Sequence, residues 1–190
     1  NVLVLTGDHQ SMGDHKEAKP VYDLDSVQLL RLCTELMGGK DYNSHDLDGK
    51  PEFYLGAVVN PGSDLPELQI LKMKKKARAG ARYFFTQAVY DLNILANFME
   101  QVKEIKAYVI AGIIPLKSAK MARFMNQNIP GIKVPDHLIE IMEKTMDRTA
   151  ESIAIARDLV DGCRNLCHGA HIMPIGWYHL VPRIFDPITD

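Results

Sequence analysis

The sequence predicts an α/β fold built on a parallel β-sheet. Five short apolar runs, rich in β-branched and aromatic residues, read as strands that are covered on both faces. Segments with helical spacing of apolar residues separate these runs, which is the pattern of βαβ units. Such a sheet is either open and doubly wound or part of an eight-stranded barrel. No G-x-G-x-x-G follows any of the strands, which disfavours an open dinucleotide-binding sheet.

The five predicted strands are the runs 2–6, 53–59, 83–90, 108–114 and 170–175. The first four are nearly continuous in apolar residues. The fifth is weaker, because Pro174 interrupts it and proline cannot donate a ladder hydrogen bond.

The helices are predicted from apolar stripes between these strands. Stripes with helical spacing cover 29–36, 70–80 and 95–105, and a longer one covers 149–163. Gly80 is placed to end the second helix, Ser118 to cap a helix through Met125, and Asp136 to begin another. The polar segment 38–51 is predicted to be an exposed loop.

Length and composition point to one domain over residues 1–190. The chain is 46% hydrophobic and 24% charged, with a net charge of -2, so no overall basic field favours nucleic acid. The basic run 72–82 lacks interleaved aromatics and reads as a solvated helix face, with Lys76 as the exception. No apolar stretch suits a membrane span. Three cysteines indicate a reducing compartment, and we expect a cytoplasmic protein.

Polar residues follow three of the strands at the ends where parallel α/β sheets bind ligands. Asp8 follows the first strand, Asn60 the second, and Gln87 interrupts the third. An acid and two amides on one rim can bind a heterocycle such as a pterin or a flavin. The alternative is that they cap adjacent helices.

Three segments resemble successive motifs of the methylenetetrahydrofolate reductase family: NVLVLTGD, KKKARAGARYFFTQAVYD and AGIIPLKSAKMARFM. Their order and spacing fit over nearly the whole chain, and the second motif is the most specific. The resemblance implies a TIM-type (β/α)8 barrel. It also implies an enzyme of one-carbon metabolism and methionine biosynthesis. It implies a flavin, FAD rather than FMN, that takes hydride from NAD(P)H and reduces the methylene group of methylenetetrahydrofolate.

The resemblance also implies roles for individual residues. Asp8 matches a catalytic aspartate that lies beside the flavin and contacts the pterin, and Gly7 matches its neighbour at the cofactor. Gln87 matches a glutamine that hydrogen-bonds the folate. Lys76 matches a lysine of the diphosphate region, and Tyr22 a tyrosine near the nucleotide half of the flavin.

The chain departs from the family pattern at several positions. Thr6, which we still assign to the cofactor site, stands where the family often has Arg. Asn60, also assigned there, lies in a stretch, 58–61, where better-known members carry Tyr and His contacts to the flavin. The stacking phenylalanine is replaced near 124–125, and an arginine near the last strand is absent.

The first strand of the chain corresponds to strand four of the family barrel. About five of eight βα units are then present, and the catalytic glutamate of strand one is not in this chain. We therefore expect a fragment of a longer reductase, with the open barrel edge covered by a partner subunit or a second copy.

Two alternatives remain open at this point. The chain is a non-catalytic folate- or flavin-binding subunit, or an inactive partial barrel that acts in a complex; or it is a pterin-binding methyltransferase barrel with a corrinoid partner. No metal is expected, because the Asp-His pairs at 8–9 and 14–15 and the half-site Cys163-x3-Cys167-His168 are weak metal signals. A buried thiol and a loop thiol are the simpler interpretation of these cysteines.

Overall fold

The computed structural model describes residues 1–7 and 9–185. The described strands are β1 (Val2–Leu3), β2 (Leu55–Val59), β3 (Tyr83–Ala88), β4 (Tyr108–Ile113) and β5 (Gly169–Ile172). The described α-helices are α1 (Ser26–Met37), α2 (Pro66–Arg78), α3 (Leu92–Val102), α4 (Ala119–Asn128), α5 (Asp136–Lys144), α6 (Arg148–Cys163) and α7 (Val181–Phe185). Short 3-10 helices cover Gln10–Met12 and Tyr178–Leu180.

The strands form one parallel sheet in chain order, β1-β2-β3-β4-β5. At least one helix lies between each pair of consecutive strands. A doubly wound sheet would reverse its strand order at a switch point, whereas a barrel keeps chain order. The α/β prediction is therefore confirmed, and the topology is consistent with part of a TIM-type barrel.

Alternate residues of each strand point to opposite faces of the sheet. One face packs against the helices and carries the core, with Ala57, Phe84 and Ala111 fully buried. The other, which we call the inner face, carries Val58, Phe85, Gln87, Tyr108 and His171, none of which is fully buried. The inner face therefore leaves apolar and aromatic side chains accessible.

The helix boundaries follow capping chemistry. Asp25 begins α1, because its carboxylate accepts from the N–H groups of Val27 and Gln28 and the Gln28 side chain reciprocates in a capping box. Ser118 caps α4 as predicted, through a hydrogen bond from Met121 N–H. Asp136 is the first residue of α5, but Pro135 holds the cap position.

Other sequence predictions are confirmed with shifted ends. Gly80 ends α2 with φ +115°, a conformation that glycine adopts without strain. β5 ends at Ile172, before Pro174. The segment 38–51 is a largely exposed loop with one isolated bridge between Lys40 and Asp46.

β1 is shorter than the predicted strand 2–6 and ends at Leu3. Val2 N–H donates to Tyr54 O at 3.0 Å, and Val4 N–H donates to Gly56 O at 2.8 Å. The same two-residue spacing would bring the N–H of residue 6 to Val58 O, but that oxygen accepts from Lys76 Nζ at 2.7 Å. A side chain therefore takes the place of the next rung.

None of the helices in the described part of the chain is long and apolar enough to cross a lipid bilayer.

Candidate functional site

A cavity of about 600 Å³ lies at the carboxyl ends of the strands, where parallel α/β folds bind ligands. This volume is within the usual range for small-molecule sites. Its lining comes from β1, β2, β3, β5 and from helices α1 and α2. The lining residues are Leu3, Asp25, Ser26, Val27, Val58, Val59, Asn60, Gln69, Lys72, Lys75, Lys76, Phe85, Thr86, Gln87, His171 and Met173.

A β-bulge in β3 shapes the floor of this cavity. Phe85 pairs with Ile110, but Ala88 pairs with Gly112, so β3 carries one extra residue. The buried hydroxyl of Thr86 satisfies backbone groups at the bulge. It accepts from Gly112 N–H at 2.9 Å and donates to Gln87 O at 2.7 Å.

Gln87 lies in this bulge and is half-buried in the cavity lining. Its Oε1 accepts from Ala88 N–H at 3.1 Å. Its Nε2 has no hydrogen-bond partner among the described residues. The carboxamide is therefore held at one atom and retains donors for a ligand.

Two rings line the cavity on the inner face. Phe85 and His171 stack with ring centroids 4.7 Å apart and an interplanar angle of 19°. Met173, two residues after His171 and just beyond β5, lines the same cavity. This group provides a flat, polarizable surface on which a planar heteroaromatic ring can stack.

Lys76 is a buried cation in the cavity wall, with only 8% of its surface exposed. Its ammonium donates to Val58 O at 2.7 Å. Burial lowers the pKa of Lys76 and the nearby charge of Lys72 lowers it further, whereas Asp25 acts in the opposite direction. Lys76 is thus buried, whereas the other basic residues of α2 are exposed, and its role at a cofactor stays a prediction.

Two further cations from α2 line the cavity, Lys72 and Lys75. Both are exposed, and neither forms an ion pair within the described residues. The α2 side of the cavity therefore presents positive charge, and among the described lining residues the one carboxylate beside it is that of Asp25, the α1 cap. Such a wall favours an anionic group of a ligand.

Asn60 lines the cavity, but its amide is used within the protein. Nδ2 donates to Pro130 O at 3.2 Å, and Oδ1 accepts from Gly62 N–H at 3.2 Å. Gly131 leaves room for this contact, because a Cβ there would lie 1.9 Å from Asn60 Nδ2. Asn60 thus ties the end of β2 to the loop before α5.

The structure therefore brings Asn60, Lys76 and Gln87 to one cavity. Thr6 and Gly7 are exposed and do not line it. Tyr22 is also exposed, with its hydroxyl donating to Gln10 Oε1 at 3.2 Å and its ring stacked on His9.

Asp8, the predicted catalytic residue, lies outside the described residues.

Sequence reasoning missed His171, Met173 and the α1 cap at Asp25. The alternation of the run 170–175 placed His171 and Met173 on one face of a strand, which was the available signal. The ring contact between His171 and Phe85 could not be predicted without the strand register, in which Gly112 on β4 lies opposite His171.

The histidines of the two Asp-His pairs form their hydrogen bonds outside the cavity. His9 Nδ1 bonds Ser11 Oγ at 2.8 Å, and His15 Nδ1 lies 3.4 Å from Glu17 Oε1. Across residues 1–7 and 9–185, no group of three or more His, Cys, Asp and Glu side chains is arranged to hold a metal ion.

The family model for methylenetetrahydrofolate reductase matches residues 1–188. A solved structure of an uncharacterized protein from Clostridium thermocellum that binds two copies of 5-methyl-5,6,7,8-tetrahydrofolic acid is 25% identical, with a TM-score of 0.43. That alignment covers 66% of this chain and 48% of the other, so this chain spans about half the length of that protein.

Proposed function

The chain belongs to the methylenetetrahydrofolate reductase family, and we propose that it binds a reduced folate in the cavity at the strand ends. The observation that carries the proposal is the cavity composition. A stacked ring pair, a carboxamide with free donors and a cationic wall lie around one space of about 600 Å³. These groups suit a ligand that is a planar heterocycle at one end and anionic at the other.

The pterin ring is the part of the ligand that Gln87 and the Phe85–His171 stack would bind. A pterin presents acceptors and donors along its edge, and the Gln87 amine can donate to a ring acceptor. A stacked aromatic contact adds about 0.5–1.5 kcal/mol beyond the burial of area. The two contacts together would fix the ring in one orientation, which hydride transfer requires.

The same cationic wall would also suit the diphosphate of a flavin. Lys72, Lys75 and Lys76 are cations on one wall, the chemistry that a cofactor diphosphate requires. When bound, the flavin supplies hydride transfer between NAD(P)H and the folate. The reaction we propose is reduction of 5,10-methylenetetrahydrofolate to 5-methyltetrahydrofolate, with FAD as the preferred flavin.

Asp8 is proposed as the catalytic carboxylate of this reaction. A negative charge near the pterin would stabilise the cationic iminium form of the folate, the species that accepts hydride. Asp8→Asn would remove that charge with little change in volume. We expect this variant to lose folate reduction far more than flavin binding.

The experiment uses the reverse reaction, because it reports on both ligands at once. The chain is titrated with FAD, and 5-methyltetrahydrofolate is then added without oxygen. The proposal expects the chain to take up FAD and to bind the folate, and a loss of the visible absorption of the bound flavin would show that hydride transfer proceeds without the glutamate of strand one. Folate binding with no flavin uptake would instead support a non-catalytic binding subunit, and no binding of either would contradict the proposal.

A further inference from the structure

Two cysteines lie together at the end of the sheet opposite the cavity. Cys163 is the last residue of α6, and Cys167 lies in the turn that leads into β5. Cys167 N–H donates to Cys163 O at 3.0 Å, so the two residues are one turn apart. The Cys167 thiol donates to Cys163 O at 3.5 Å and to Gly169 O at 3.2 Å, so the side chain is held close to its partner residue.

The two thiols differ in accessibility. Cys163 is 2% exposed and belongs to the core. Cys167 is half-buried, and both residues line a cavity of about 410 Å³ together with Arg164, His168 and Phe185. A small reagent can therefore reach this thiol pair from the cavity.

The two thiols also differ in pKa. A hydrogen bond from the Cys163 thiol lowers the pKa of Cys167 to about 6, despite partial burial. The same hydrogen bond, with burial, raises the pKa of Cys163. The lowered pKa of Cys167 favours the thiolate, the nucleophilic form, at the more accessible of the two sulfurs, and Cys163 is the partner that stays protonated.

We propose that Cys163 and Cys167 form a thiol–disulfide exchange site, in which Cys167 attacks a low-molecular-weight disulfide and Cys163 resolves the product. This site is separate from the proposed folate function and uses no residue of the strand-end cavity.

The chemistry balances with glutathione disulfide as the oxidant. The Cys167 thiolate attacks one sulfur of glutathione disulfide, forming a mixed disulfide and releasing one glutathione thiolate. The Cys163 thiol then loses its proton and attacks Cys167 Sγ, forming the intramolecular disulfide and releasing the second glutathione. Two electrons pass from the protein dithiol to glutathione disulfide.

The geometry permits this bond after a small movement. Residues one helical turn apart have Cβ atoms about 5–6 Å apart, whereas a disulfide needs about 3.5–4.5 Å. Cys167 lies beyond the end of α6, in a turn, so the approach does not require α6 itself to move.

Cys33 supplies an internal control. It is half-buried on α1, and burial raises its pKa. At pH 7 the folded chain should react with iodoacetamide at Cys167 about tenfold or more faster than at Cys33, because the thiolate is the reacting species. Peptide mapping by mass spectrometry distinguishes the two sites.

The direct test incubates the full 190-residue chain with glutathione disulfide and maps its cysteines. We expect a product lighter by two hydrogens, with Cys163 linked to Cys167 and Cys33 unmodified. Cys163→Ala should instead stop at one glutathione on Cys167, and Cys33→Ser should behave like the unchanged chain. Circular dichroism before the reaction establishes that each variant is folded.

Two results would overturn the proposal. One is preferential modification of Cys33 in the folded chain. The other is a Cys167 that accepts glutathione in the unchanged chain but never passes to the Cys163–Cys167 disulfide. Either outcome is read on the unchanged chain, so the test does not depend on how well the variants fold.

Discussion

The ammonium of Lys76 donates a hydrogen bond to the carbonyl oxygen of Val58 at 2.7 Å, at the place where the ladder between β1 and β2 stops. The cation therefore closes the end of a strand and forms part of the cavity wall at the same time. Because Lys76 is buried, its protonation affects both the stability of the fold and the charge that a ligand in the cavity would meet.

Lys76→Met should change how stability depends on pH. Because the pKa of Lys76 is lowered from its ordinary 10.5 in the folded state, the folded chain loses this proton before the unfolded chain does. The free energy of unfolding of the unchanged chain should then rise, relative to the variant, as pH increases from the lowered pKa towards 10.5. Urea denaturation at several pH values measures this difference.

The matched control is Lys74→Met, on the same helix at an exposed position outside the cavity. That variant should keep the pH profile of the unchanged chain. Parallel profiles for Lys76→Met and the unchanged chain would show that the burial of Lys76 has no thermodynamic effect.

Thr86→Val should destabilise the fold by about 1–3 kcal/mol, because Gly112 N–H would remain buried without its acceptor. Thr86→Ser keeps the hydroxyl and should lose less. Urea denaturation measures both variants. A valine variant as stable as the serine variant would mean that the bulge does not depend on this hydroxyl.

Asn60→Ala should lower stability by about 1–2 kcal/mol, through loss of the bonds to Gly62 N–H and Pro130 O. Affinity for 5-methyltetrahydrofolate should remain nearly unchanged in the folded variant. Thermal unfolding and calorimetric titration measure the two quantities. A large loss of affinity at unchanged stability would instead place Asn60 in direct contact with the ligand.

Phe85→Leu should weaken folate binding about two- to tenfold, which corresponds to the loss of one aromatic stack. Tyr108→Leu is the control, because Tyr108 is an exposed aromatic on the same inner face at the amino end of β4. Calorimetric titration of both variants makes the comparison. Equal losses would indicate a general effect of the inner face rather than a contact in the cavity.

Much of the fold could be predicted because local rules and tertiary packing agree. The runs 83–90 and 108–114 are apolar enough to form central strands, and Ser118 and Gly80 mark helix ends through chemistry that acts over a few residues. β1 was predicted too long: where its next rung would form, the Val58 carbonyl accepts from Lys76, a residue 70 positions further along the chain than residue 6.

The candidate site was only partly predictable for the same reason. Gln87 and Lys76 stand out locally, as a polar residue in an apolar strand and as part of a distinctive motif. Asn60 also stood out, but its bonding to the loop near Gly131 depends on contacts far away in sequence. The Phe85–His171 stack depends on the register of three strands, which no local pattern contains.

The central claim is that the strand-end cavity binds a reduced folate through Gln87. Calorimetric titration of the chain with 5-methyltetrahydrofolate, beside Gln87→Ala, tests it most directly. Loss of a hydrogen bond to the ring should weaken binding by about 1 kcal/mol or more, roughly fivefold or greater. Saturable binding by the unchanged chain with that loss in the variant is the predicted result; no saturable binding, or equal affinity in both, would contradict it.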